Sequence, residues 1–181
     1  TIEIKNTLTG DIHEEAYDVL VMAPGASPVK PRSIGGIDGK NVYTVRNVAD
    51  IVHLKDGLEA AGAENTAVIG GGFIGIEVAE NLAKAVKAGL ECIAYQIADV
   101  VEAMSQILAP FDYDMVQMLH KELLDNGVSL IVDDGVKTIE EKQITLASGK
   151  TVPADAVILA IGVAPETGLA KAAGLEIGET G

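Results

Sequence analysis

Residues 66–77, TAVIGGGFIGIE, decide how this chain folds. Residues 66–69 read as a short buried strand, and Gly70, Gly72 and Gly75 then fall in the G-x-G-x-x-G spacing. The next stretch, IEVAENLAKAVKA, has helical periodicity. Strand, glycine turn and helix in that order are the context that gives this spacing meaning as a dinucleotide fingerprint. Each glycine has its own reason. Gly70 permits the sharp turn, Gly72 lets backbone approach a pyrophosphate, and Gly75 lets the helix pack close on the strand. Free N–H groups and the helix dipole at the helix start then favour the phosphate charge. With the intervening Gly71, Phe73 and Ile74, these residues make up the candidate cofactor-binding turn.

Bulk properties narrow the partners. The chain has 181 residues, 48% of them hydrophobic, which suffices for one substantial core. Lys and Arg total 13 against 27 Asp and Glu, a net charge of −14. Such an acidic surface repels nucleic acid and anionic membrane, so neither is an expected partner. The single Cys92 allows no internal disulfide and no CxxC pair, and is expected to be a small core residue. No apolar run of about 18 residues and no signal peptide are present, so a cytoplasmic location is expected. The chain begins at Thr1 without an initiator methionine, as a piece of a longer protein would.

Outward from the fingerprint, TIEIKN and LTGDI predict a hairpin, and AYDVLVMAPG an apolar strand ending in a Pro-Gly turn. The Pro- and Gly-containing stretch ASPVKPRSIGGIDGKN has linker composition and marks a domain boundary. Asn47 is placed to cap a helix reaching about Ala61, with Val48, Ile51, Val52 and Leu58 as its apolar face. DYDMVQMLHKELLDNG predicts a second amphipathic helix, with Met115, Met118, Leu119, Leu123 and Leu124 on one face and Asn126-Gly127 as its stop. VSLIV is a short strand. VKTIEE, QITLAS and TVPAD form an antiparallel meander with a Ser148-Gly149 turn. DAVILAIG is another buried strand, and TGLAKAAG a short helix. The predicted fold is therefore α/β: a Rossmann-like three-layer nucleotide-binding domain with a parallel sheet and a three-stranded antiparallel crossover meander. His13, His53 and His120 are far apart; the last two sit among charged helical residues and read as solvated, and no metal-ligating pattern occurs.

Five stretches carry a family resemblance: YDVLVMAPGASP (17–28), GIDGKNVYTVRNVADI (36–51), VIGGGFIGIEVAENL (68–82), QILAPFDYDM (106–115) and AIGVAPETGLAKAAGLEIGETG (160–181). They resemble the FAD-dependent pyridine nucleotide-disulfide oxidoreductases, in particular the NADH oxidase and coenzyme A-disulfide reductase branch. The resemblance implies an NAD(H)-binding region within a flavoprotein that passes hydride from NADH to FAD and on to a disulfide, oxygen or another acceptor. It also implies parts not found in these 181 residues: an FAD fingerprint, redox-active cysteines and a C-terminal dimerisation domain of a homodimer. On that basis residues 1–35 are the tail of the FAD domain plus linker, 36–163 the NAD(H)-binding domain, and 164–181 the return to the FAD domain. FAD itself is not expected on this piece, which would bind NADH without turning over alone.

The same resemblance implies site residues but no catalytic one. Phe73 matches an aromatic that covers the flavin face. Glu77 matches a glutamate near the nicotinamide amide, and Gly162 a glycine whose backbone lies against the cofactor. An acid after the second strand normally accepts bonds from the adenosine ribose. Glu102 has the matching context, VVEAMSQIL, but lies further past Gly75 than the about 20 residues usual for this acid. Two alignments compete: DVV is that strand and Glu102 meets the ribose, or GLECIAYQ is that strand and Gln96 takes the place. No Arg or Lys lies between Lys87 and Lys121 to clamp a 2′-phosphate, which favours NADH over NADPH. A stand-alone NAD(H)-binding or sensing module is the alternative. A nicotinamide-only dehydrogenase is disfavoured, because no Tyr-Lys or His-Asp pair follows the fingerprint.

Overall fold

The computed structural model describes residues 1–87 and 96–179. In chain order these form β1 (Ile2–Lys5), β2 (Ile12–Glu15), β3 (Ala26–Pro28), β4 (Val42–Thr44), α1 (Val48–Ala61), β5 (Asn65–Ile69), α2 (Phe73–Lys87) and β6 (Gln96–Val101). They continue with α3 (Tyr113–Asp125), β7 (Ser129–Ile131), β8 (Val136–Ile139), β9 (Gln143–Leu146), β10 (Thr151–Pro153), β11 (Ala156–Leu159), β12 (Val163–Pro165) and α4 (Gly168–Ala172). The chain divides into two compact units, Ser27–Ala164 on one hand and Thr1–Ala26 with Pro165–Gly181 on the other.

The larger unit is built on a parallel sheet of order β4-β11-β5-β6-β7. Strand alternation sends side chains to two faces. Val68, Val100 and Ile158 pack with Leu54 and Leu58 of α1, Ala79 of α2, and Val116 and Leu123 of α3. Ala67, Ile69, Val101, Val157 and Leu159 pack on the other side with Ile139, Ile144, Leu146 and Val152 of the antiparallel β10-β9-β8 meander. Helices, sheet and meander are the three layers the sequence predicts. The meander turn forms at Ser148-Gly149, with Gly149 at φ +89° and its N–H donating to Leu146 O.

α1 starts where predicted, with a capping box between Asn47 and Asp50, and stops at the left-handed Gly62. Of its predicted apolar face, Leu58 is buried and the other three residues are not. Leu54 and Leu58 point inward, whereas Val48, Ile51 and Val52 are exposed. The reason is Gly57, which lies under Tyr43: a Cβ there would stand 2.2 Å from the Tyr43 hydroxyl. The helix turns that face to the sheet because only glycine lets the ring in. In α3 the buried residues are Val116 and Leu123, and Met115, Met118 and Leu124 face solvent instead of the core. His120 is partly buried rather than solvated, its Nε2 has no hydrogen-bond partner, and burial lowers its pKa. Cys92 lies outside the described residues.

In the smaller unit β1 and β2 form the predicted hairpin, and α4 the predicted short helix. The apolar stretch 16–25 forms no strand; Val19 and Val21 are 82% and 83% exposed. Ser27–Pro28 of β3 and Val163–Ala164 of β12 belong to the larger unit, where these strands form a two-stranded sheet.

Candidate functional site

The site follows from strand order. From β5 the chain proceeds through α2 to β6 and then β7, whereas β11, reached only after the meander, inserts on the opposite side of β5 beside β4. A crevice at the carboxyl ends of β5 and β11 is therefore a topological switch point, where ligands of open α/β sheets bind. At that end the Gly70–Gly72 turn leaves β5, and residues 160–162 leave β11.

The three fingerprint glycines differ in surroundings. Gly70 has φ +107°, and a Cβ on it would stand 2.5 Å from Ala160 O, so both conformation and space require glycine. At Gly75 a Cβ would stand 1.9 Å from Gly70 O, the close contact of helix on turn. Gly72 has nothing within 4 Å of its Cβ position. Space there is open on the side where a helix begins. Among the described residues, the N–H groups of Gly72 and Phe73 have no hydrogen-bond partner in the chain. An anion at this helix start meets unspent donors and the positive end of the α2 dipole.

Glu102 follows the carboxyl end of β6, next to the turn, while Gln96 opens the same strand at its other end. The Glu102 carboxylate accepts the Gly71 N–H on Oε2 at 2.7 Å and the Met104 N–H on Oε1 at 2.9 Å. Phe73 is 65% exposed and meets Phe111 edge to face, with ring centroids 5.9 Å apart. Ile74 is exposed beside it. Glu77 lies exposed one turn into α2, where its Oε1 accepts a bond from Asn81 Nδ2 at 3.1 Å. Gly162 stands at φ +118° past β11, its carbonyl accepting the Val29 N–H at 3.0 Å. The fold thus brings Gly70, Gly71, Gly72, Phe73 and Glu102 to one end of the sheet, with Gly162 on the β11 side.

Two further residues build this turn, and the sequence singles them out only as members of the family-like stretch 106–115. Ile107 is fully buried against Gly71, where a Cβ would stand 2.5 Å from its Cγ2. Leu108, at φ +46°, donates its N–H to Gly71 O at 2.8 Å. Neither belongs to a periodic segment, and the resemblance marks their stretch without a role for either; the folded turn assigns the task.

The model of the pyridine nucleotide-disulphide oxidoreductase family matches residues 1–181. An NADH oxidase of Methanocaldococcus jannaschii is 35% identical over 94% of this chain, which spans 37% of that protein's length. The crystal structure of reduced Bacillus anthracis CoADR-RHD superposes with a TM-score of 0.85 at 40% identity, over 99% of this chain and 31% of that one. A NAD-dependent persulfide reductase from A. fulgidus superposes with a TM-score of 0.82 at 34% identity, over 99% of this chain and 32% of that one.

Proposed function

Because the chain belongs to the pyridine nucleotide-disulphide oxidoreductase family, we propose that its parallel-sheet unit binds NAD(H) in the β5–β11 crevice, as part of a longer flavin-dependent oxidoreductase. The observation that carries this reading is the turn itself: open space at Gly72 beside unpaired N–H groups at the start of α2. The pyrophosphate would rest on the Gly72 and Phe73 N–H groups. Each Glu102 oxygen keeps a lone pair for an adenosine ribose hydroxyl, and its charge repels a 2′-phosphate. Ribose on the β6 side puts nicotinamide on the β11 side, toward Gly162. Ile74, on the first turn of α2, and Glu77, one turn in, would flank it. The dinucleotide supplies a hydride donor and FAD a hydride acceptor; the protein's part is binding and placement.

Relatives named NADH oxidase and NAD-dependent persulfide reductase support NADH as the dinucleotide. The proposed division assigns 36–163 to NAD(H) binding and 1–35 with 164–181 to the FAD domain. The grouping of Thr1–Ala26 with Pro165–Gly181 in one unit supports the pairing of the two ends, whereas residues 27–35 group with the larger unit. Calorimetric titration with NADH and NADPH, with a visible spectrum of the same sample, tests the reading. Saturable NADH binding, weaker NADPH binding and no flavin absorbance are expected. Binding of neither nucleotide would refute it.

A further inference from the structure

A carboxylate that only had to read ribose hydroxyls would stand free in the crevice. Glu102 instead spends one lone pair of each oxygen on backbone, accepting the Gly71 N–H at 2.7 Å and the Met104 N–H at 2.9 Å. The other polar group of Gly71 is also taken, its carbonyl accepting the Leu108 N–H at 2.8 Å. One segment, 102–108, therefore grips Gly71 by both backbone groups, and Ile107 fills the space where its side chain would be. The segment is fastened in turn to the end of β7. Glu102 N–H donates to Ile131 O at 2.8 Å, and Asp133 N–H to Met104 O at 2.9 Å.

We propose that Glu102 is a positioning residue for the phosphate cradle: acting through Gly71, it fixes the turn that aims the Gly72 and Phe73 N–H groups. This deepens the dinucleotide reading above and rests on it. Three consecutive glycines have wide conformational freedom, and an unbraced turn would have to be ordered when the ligand arrives. Bracing removes that cost beforehand. The chemistry of the brace demands glutamate whatever occupies the ribose position. Two N–H donors converge on two acceptor oxygens; glutamine offers one oxygen and would set its NH₂ against the second donor, and aspartate is one methylene short. Ribose reading is a second use of the same carboxylate.

Two measurements on the 181-residue chain test this. One is hydrogen exchange of the Gly71 amide, followed by NMR without ligand. The other is calorimetric affinity for ADP and for 2′,3′-dideoxy-ADP, which has no ribose hydroxyls for Glu102 to read. Glu102→Ala is expected to speed Gly71 exchange and weaken dideoxy-ADP binding, each about tenfold, with Glu102→Gln intermediate at about threefold. Should the alanine variant fail to fold, the glutamine variant supplies both readouts. Unchanged Gly71 exchange, or weakened ADP binding with dideoxy-ADP unaffected, would overturn the proposal and leave Glu102 a ribose reader alone. Failure of the wild-type chain to bind either nucleotide would instead sink the dinucleotide reading, and Gly71 exchange would then decide whether Glu102 holds the turn.

Discussion

Gly75 packs so closely on Gly70 that a Cβ at position 75 would stand 1.9 Å from the Gly70 carbonyl oxygen. Glycine inside a helix costs about 1 kcal/mol relative to alanine, so Gly75→Ala would stabilise an isolated α2. Here the clash is with backbone that cannot rotate away, and overpacking of this kind costs about 1–3 kcal/mol. The clash wins. Gly75→Ala is expected to lower the free energy of urea unfolding, whereas Gly72→Ala, with nothing within 4 Å, leaves it unchanged. Gly72→Ala should instead weaken NADH binding about tenfold, because its methyl enters the space proposed for the pyrophosphate. Equal stability losses in both variants would show that Gly72 is structural.

The two phenylalanines of the chain meet each other beside this turn, edge to face. Gln106 Nε2 donates to Phe111 O at 2.9 Å, and Phe111 N–H donates to Leu108 O at 2.9 Å, so the Phe111 backbone is tied to the segment that grips Gly71. Aromatic pairs add about 0.5–1.5 kcal/mol beyond buried area, and two half-exposed rings belong near the lower end. A double-mutant cycle of Phe73→Ala and Phe111→Ala, read by urea unfolding, should give a coupling of about 0.5 kcal/mol. Strict additivity would mean that the rings do not meet in solution.

Much of this architecture was legible because its signals are local. A capping residue, a glycine spacing or a period-2 strand specifies backbone within a few residues, and Asn47, Gly70 and the meander obey. Which helical stripe faces the sheet is not local. Val48, Ile51 and Val52 suit an inward face together with Leu58, yet the fit of Tyr43 over Gly57 keeps only Leu58 and adds Leu54. The same holds in α3, where Leu123 is buried as predicted but Met115 and Met118 yield the core to Val116. Residues 16–25 have strand composition but no strand partner, and composition alone does not supply one. At the site, Glu102 was findable as an acid after an apolar run. Its bond to Gly71 was not, because that contact depends on strand register, which sets Ile69 opposite Val101.

The start of α1 offers a clean test of a local signal. Asn47 Oδ1 accepts the Asp50 N–H at 3.0 Å, and Asp50 Oδ2 accepts the N–H groups of Arg46 at 2.9 Å and Asn47 at 3.3 Å. Asn47→Ala should cost about 1 kcal/mol in urea unfolding, the usual loss for such a cap. Asp50→Ala should cost about as much, and the double variant less than the sum, because the two side chains form one reciprocal box.

Acid should loosen the opposite end of the sheet. Asp155 Oδ2 accepts the N–H groups of Glu64 and Asn65, both at 2.9 Å, and Lys142 Nζ approaches Oδ1 at 3.0 Å. This carboxylate joins the start of β5 to the start of β11, where the Asp155 N–H also donates to Asn65 O at 2.8 Å. Burial alone would raise its pKa; the Lys142 bond and the Asn65 and Glu64 N–H groups outweigh burial and hold it at about 2. An unfolded aspartate titrates near pH ~3.9. Because the folded value is the lower one, the stabilisation is complete above that pH and is lost as pH falls toward about 2. Asp155→Asn should therefore be less stable than wild type at pH 7, with the gap closing between pH about 4 and about 2 in urea-unfolding series. Lys142→Ala should keep part of the effect, since the backbone donors to Asp155 remain. A gap of constant size across that window would mean that the two N–H groups bind the side chain at position 155 equally well without its charge.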